Sequence, residues 1–383
     1  MSVPQKAPAG RYAYIDVLRG LAALFVVYQH TAEITPAPGV HVNPLENSLI
    51  EFFTRTIGVG ETGVCIFLMI SGFVVPFSLF RYQSAPIKNF IAHRFFRLYP
   101  AYWLSIPLAL VFVSWRLGMQ DYGQPPGWQI SWQMVVANLS MLQSFLGFDD
   151  IMGQYWTLAL ELVFYGACIL LFAAGYLQSF KAIMLFLLCM LALQMVCRII
   201  PGVDKDTLEL VISFRYLDFM FFGLLYRKWL LEADKKAGKQ AALILMLAFL
   251  TFGALPHLRN FVNGDPAALR VQASHLAAVC IFVVCTRFYQ PSNAVGIFLG
   301  KISYSIYLFH PVVFYPLFFF WFQSSGLRSY PHSFITLSML ATIAVSYGIY
   351  RIVEQPFIEL GRKLFPGGET WNRRRGAQGM HAK

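Results

Sequence analysis

Apolar runs long enough to cross a hydrocarbon core alternate along this chain with short stretches of charge and proline. Ten such runs are centred near Ala22, Ile70, Pro107, Phe164, Met190, Met220, Leu247, Val279, Phe309 and Ile343. Runs of this length predict helices, because each must satisfy its own backbone once water is excluded. The fold class expected is therefore all-α: a polytopic membrane helical bundle of about ten transmembrane helices. With an even number of spans, both termini share a side. Arg55, Arg116, Arg198, Lys205, Arg215, Arg259, Arg270 and Arg328 then fall opposite the termini, and the other 22 of the 30 Lys and Arg residues fall with them. The excess predicts cytoplasmic termini. The N-terminus has no short apolar core followed by a small-residue cleavage site, so the first run is expected to be a retained span.

Composition supports this and changes little. Of 383 residues, 57% are hydrophobic and only 13% charged, too few charges to clothe a soluble globule. The net charge of +11 does not point to nucleic acid, because the cations sit in short loops beside the spans. Anionic lipid and topology account for them better. One membrane domain over residues 1–360 and a basic tail over 361–383 are expected. The six cysteines fall in or beside spans without paired C-x-x-C spacing. They are read as buried thiols, with neither a disulfide framework nor a metal site.

The chemistry is sought where charge enters the apolar runs. Arg19 and His30 are eleven positions apart on the first run. Eleven helical steps return to within roughly 20° of the same face and climb roughly 16 Å. That puts Arg19 near a membrane surface and His30 deep, and an ionisable group at depth is costly unless it faces a polar cavity. Arg94 and Arg97 share a helical face, suited either to a phosphate-rich ligand or to an ordinary positive-inside anchor. The fourth run opens Tyr155-Trp156-Thr157 and carries Glu161 about 7 to 9 Å farther in. A carboxylate there needs a partner, and His30 reaches a comparable depth from the other side, so Glu161 is expected to orient His30 as a general base. Ser71-Gly72 lies in a small-residue run of the kind that more often marks helix packing than catalysis. His310 precedes a kinking proline and either lines the cavity or makes a structural hydrogen bond. Arg351 and Glu354 read as a local ion pair, with a helix stop at Pro356.

Taken in order, these runs resemble the acyltransferase-3 family of bacterial membrane O-acyltransferases, over roughly residues 11 to 360. Five blocks carry the resemblance. They are Arg19 to His30, the run ending Ser71-Gly72-Phe73, Arg94-x-x-Arg97, Trp156-Thr157-Leu158-x-x-Glu161, and Ile302-Ser303-Tyr304 through His310. Thr157 stands where the family has serine, which keeps the hydroxyl. The resemblance implies a protein of the bacterial inner membrane that moves an acyl group, usually acetyl from acetyl-CoA, to a hydroxyl of a cell-surface glycan or its lipid-linked precursor. It implies His30 as catalytic residue with Glu161 in support of the histidine or the acceptor. Arg19, Arg94, Arg97 and Ser71 are placed with the acyl-CoA donor, and Trp156, Tyr304 and His310 with the acceptor. Two routes are open, direct attack of a hydroxyl deprotonated by His30, which is favoured, or an acyl-His30 intermediate. Neither needs a metal. The alternatives are an O-acyltransferase for a small secreted metabolite or a lipid, and a proton-coupled transporter or flippase built on the same ionisable residues.

Overall fold

The computed structural model describes residues 12–35, 43–82, 84–117, 130–200, 202–203, 207, 211–250, 266–323 and 330–366. The basic stretch 367–383 lies outside the described residues. Ten long helices carry the ten predicted centres: α1 Ala13–Glu33, α2 Val59–Val74, α3 Pro86–Leu117, α4 Trp156–Ala173, α5 Phe180–Ile199, α6 Leu217–Glu232, α7 Lys235–Phe249, α8 Pro266–Val283, α9 Ala294–Gln323 and α10 Pro331–Ile349. No strand occurs among the described residues. Seven of the helices, α2 to α5 and α8 to α10, are long and apolar enough to cross a membrane, so the chain is a multi-pass membrane protein. The bundle accordingly turns large apolar side chains outward, among them Val111, Leu170, Leu185 and Ile352. An exterior of that kind suits lipid rather than water.

The helices outside that set include the most enclosed. Every residue of α6 from Leu217 to Tyr226 is buried, and α1 buries twelve of its 21 residues. A helix surrounded by protein can carry polar groups that a lipid-facing one cannot, which is why α1 tolerates Asp16, Arg19 and His30. Helices α1 and α9 run in the same direction, for Asp16 meets Gly300 toward one end and His30 meets His310 toward the other. We call the Asp16 end proximal and the His30 end distal.

Glycine sets how close the central helices come. A Cβ on Gly300 would overlap the backbone of Asp16, and one on Gly72 would overlap the carbonyl of Met220 where α2 crosses α6. Gly72 therefore serves packing, as such small residues commonly do.

Two expectations about local structure fail. The last span does not stop at Pro356: α10 runs through a π-turn, Tyr350–Glu354, into α11, Gln355–Leu364, with Pro356 in the first turn of α11 where its missing N–H costs nothing. Nor do Arg351 and Glu354 pair. Arg351 is exposed and donates to Gln355 at 3.3 Å, whereas Glu354 is buried and accepts from Ser305 at 2.8 Å, because the π-turn rotates the two side chains onto different faces. Of the six cysteines, Cys65 and Cys168 are buried, but Cys189 and Cys280 are exposed on outward faces of their helices.

Candidate active site

Three cavities follow one another from the proximal to the distal end. The first, about 670 Å³, is ringed by Arg81, Arg94, Arg97, Arg362 and Lys363, with Tyr82 and His93 stacked at 5.4 Å on its wall. The second is a narrow space of about 90 Å³ that shares Arg94 and Arg97 with the first and adds Arg19, Ser71, Glu161 and Tyr304. The third, about 620 Å³, shares Val64 and Tyr307 with the second and is lined by His30, Gln29, Glu33, Glu61, Trp156 and Tyr216. Tyr307 is held on that boundary by Thr157, whose hydroxyl lies 2.6 Å from its own.

In the narrow cavity the arginines are set by what surrounds them. Arg94 stacks over Phe90 and Tyr165 at 5.7 and 5.4 Å, which fixes the plane of its guanidinium. Arg19 reaches Asp16 at 3.9 Å with only 16% of its side chain exposed. It therefore lines the interior of the bundle and not its outer face. Glu161 accepts from Ser71 at 2.9 Å and from the Tyr165 hydroxyl at 2.6 Å, both on Oε1. Ser71 thus belongs to this cavity even though its neighbour Gly72 is a packing residue.

Glu161 is not the partner of His30. Ser71 and Tyr165 satisfy it in the narrow cavity, one to two turns of α4 away from the distal one, and His30 finds its partner on α9. His30 Nδ1 lies 2.8 Å from His310 Nε2, with the two rings edge to edge and close to coplanar, their centroids 5.1 Å apart and their planes 20° apart. His310 Nδ1 lies 2.7 Å from the Tyr307 carbonyl. Pro311 explains that contact: it has no N–H to give the carbonyl four residues back, so the Tyr307 oxygen is released to hold the imidazole. A carbonyl only accepts, so His310 carries its proton on Nδ1 and accepts on Nε2. His30 must then donate from Nδ1, and its Nε2 keeps a lone pair for the distal cavity that the ring lines.

His310 is fully buried behind His30 and is absent from the cavity lining, so of the two sequence readings the structure shows the hydrogen bond and not the cavity-lining position. Trp156 does line the distal cavity, 5.3 Å from Tyr216. Tyr304 instead lines the narrow one and donates to the Leu98 carbonyl at 2.9 Å, which places it nearer the arginines than His30.

Residues that sequence reasoning passed over also face His30's cavity. Gln29 donates to Glu33 at 2.6 Å and accepts from the Gly60 amide at 3.2 Å. Glu61 stands three residues into α2 and accepts from Tyr216 at 2.6 Å and His275 at 3.3 Å. A carboxylate inside an apolar run was the signal available for it. Beside this cavity, outside the spans, burial pushes the Asp150 carboxyl up to about 6 despite its hydrogen bond from Gln143.

Comparison with known proteins fits this arrangement. No curated protein and no solved structure matches the chain. The acyltransferase domain of the acyltransferase-3 family matches residues 12–351, which take in Arg19, His30, Arg94, Arg97, Glu161 and His310. Over that length the match decides the question raised by the spacing of the motifs, and the chain belongs to the acyltransferase-3 family.

Proposed function

We propose that this membrane acyltransferase takes an acyl group, acetyl in the simplest case, from acyl-CoA at the proximal end and transfers it to a hydroxyl of a cell-surface glycan or its lipid-linked precursor in the distal cavity. In this reading the proximal end, with both termini, faces the bacterial cytoplasm and the protein sits in the inner membrane. The observation that carries it is the succession of cavities, which joins a ring of cations to a histidine whose tautomer is set by its neighbours.

The nucleotide and phosphates of the donor belong at the proximal ring, where Arg94 and Arg97 offer planar forks. At about 90 Å³ the narrow cavity is too small for a nucleotide or a whole pantetheine arm, and it suits only the acyl thioester end of that arm, brought toward Tyr307. The acceptor hydroxyl gives its proton to His30 Nε2, and its oxygen bonds to the thioester carbon. The C–S bond then breaks, and the proton passes from His30 to the departing thiolate. His310 supports the imidazolium by accepting from Nδ1 throughout. Direct transfer requires both substrates together, and adjoining cavities supply that. The membrane domain in this reading extends over residues 1–360.

The test is transfer from radiolabelled acetyl-CoA into glycan by membranes bearing wild type or His30→Ala, with membrane yield measured alongside. Loss of transfer and of acceptor-dependent CoA release at normal yield is the expected result. Full activity in well-expressed His30→Ala removes His30 from the chemistry.

A further inference from the structure

We propose that Glu61 forms a hydroxyl-recognition subsite in the distal cavity, which takes a sugar hydroxyl neighbouring the one acylated and so sets which position is modified. The inference rests on the acyltransfer reading for its purpose and on the geometry of Glu61 for its substance. Three groups from three elements converge on one oxygen: the Tyr216 hydroxyl at 2.6 Å, His275 Nε2 at 3.3 Å and the Cys65 thiol at 4.0 Å all meet Oε1. Among the described residues the hydrogen bonds to Glu61 all fall on that atom. The side chain nonetheless remains 28% exposed, and the residue lines the cavity that His30 lines. A carboxylate has acceptor positions on both oxygens, so one held this way presents Oε2 to whatever occupies the cavity.

The surroundings favour a polyol. Trp156 and Tyr216 line the same cavity with their rings 5.3 Å apart, apolar faces suited to the C–H face of a sugar. Gln154 and Arg270 also line it. A hydroxyl donated to an ionised, oriented carboxylate is among the stronger neutral-ligand contacts available, and it is directional. Glu61, Cys65 and His275 also each bring one ligand atom within 4.8 Å of the others, the spacing of a metal-ligand set. The hydroxyl subsite is favoured over a cation because Tyr216 already donates to Oε1, the oxygen that faces Cys65 and His275 and that a metal held among them would use.

The experiment uses the full chain in nanodiscs and a panel of methyl α-glycosides of glucose, galactose, mannose and rhamnose as probes, with binding followed by saturation-transfer NMR. Wild type is expected to bind at least one glycoside. Glu61→Gln is expected to weaken that binding about tenfold to a hundredfold, the scale of a charged hydrogen bond, while acetyl-CoA affinity stays unchanged and reports an intact fold. The deoxy glycoside that binds wild type most weakly should show no further loss in Glu61→Gln, because ligand and protein have then lost the same contact. Tyr216→Phe, which removes one of the groups orienting Oε1, should weaken binding by a smaller factor. Equal glycoside binding in wild type and Glu61→Gln overturns the proposal, as does a wild type that binds none of the panel. Stoichiometric zinc lost in Cys65→Ser would overturn it in favour of a metal site. Failure of the acyltransfer reading shows separately, as absence of acetyl transfer by a wild type whose glycoside binding still depends on Glu61.

Discussion

His30 on α1 and His310 on α9 meet edge to edge, nearly coplanar, with Nδ1 and Nε2 2.8 Å apart. The pair forms a chain of hydrogen bonds whose far end is fixed at 2.7 Å by the Tyr307 carbonyl, freed by Pro311, and in the proposed mechanism that chain is the relay. Without that anchor either ring could carry its proton on either nitrogen, and half of those arrangements would turn an N–H toward the cavity where a base is needed.

His310→Ala should therefore lower acyl transfer by about 10²- to 10⁴-fold, the range seen when a base loses its orienting partner, while acetyl-CoA binding is retained. Pro311→Ala tests the same geometry more gently, since the restored amide would compete for the Tyr307 carbonyl. A smaller fall in turnover with unchanged donor affinity is expected. Wild-type turnover in both variants would remove the relay from the mechanism.

Arg94 and Arg97 line both the proximal ring and the narrow cavity, which separates a binding role from topology anchoring. Lysine keeps the charge but loses the planar fork and the stacking of Arg94 on Phe90 and Tyr165. The double change Arg94→Lys and Arg97→Lys should insert normally and weaken acetyl-CoA binding by on the order of 1 to 3 kcal/mol. Isothermal titration of purified protein measures it, and an unchanged affinity returns both residues to anchoring.

Close helix contact at Gly72 predicts a sharp stability cost. Gly72→Val should destabilise by about 1 to 3 kcal/mol or more as α2 is pushed from α6. Gly166→Ala, on α4 with nothing near the added methyl, should instead be neutral or stabilising by up to about 1 kcal/mol. Thermal unfolding in detergent compares them, and equal behaviour would place the close crossing elsewhere.

Asp150 carries a pH signature. Its carboxyl is pushed up to about 6 from an ordinary 3.8 by burial, so the fold binds its proton more tightly than the unfolded chain does. Stability should consequently fall as pH rises from about 4 to about 6 and then level off. Asp150→Asn keeps the shape without the charge and should flatten that part of the curve. A melting series across this window decides it, and an unaltered slope in the variant would assign the dependence to other groups.

Reporters fused after Lys383 and within Lys235 to Lys239 should be active in the cytoplasm, and reporters placed between Gly118 and Trp128 on the other side. A C-terminus outside the cytoplasm would overturn both the ten-span count and the side proposed for donor binding.

The helices were legible because hydrophobic periodicity is a local property: each predicted centre, from Ala22 to Ile343, lies on one. The grouping of Arg19, Ser71, Arg94 and Arg97 was legible too, since the four do meet in one cavity, with Glu161 beside them. Glu354, read from the sequence as half of a local ion pair, is instead buried against Ser305, because a π-turn moved it by an angle no spacing rule contains. Depth along separate helices misled the assignment of Glu161 to His30, for equal depth does not make two side chains neighbours.

What the sequence determined by itself was membership in a class: apolar runs that must be helical in lipid, charges too costly to be idle there, and a spacing that puts Arg19 and His30 on one face of α1. What only the tertiary structure decided was partnership. His310 rather than Glu161 orients His30, Tyr165 and Ser71 satisfy Glu161, and Tyr216 and His275 turn Glu61 toward the cavity. Apart from Tyr165 and Glu161, one helical turn apart, those contacts join residues tens to hundreds of positions apart, and their geometry follows from where glycines let helices touch and where a proline frees a carbonyl, which is settled only when the helices pack.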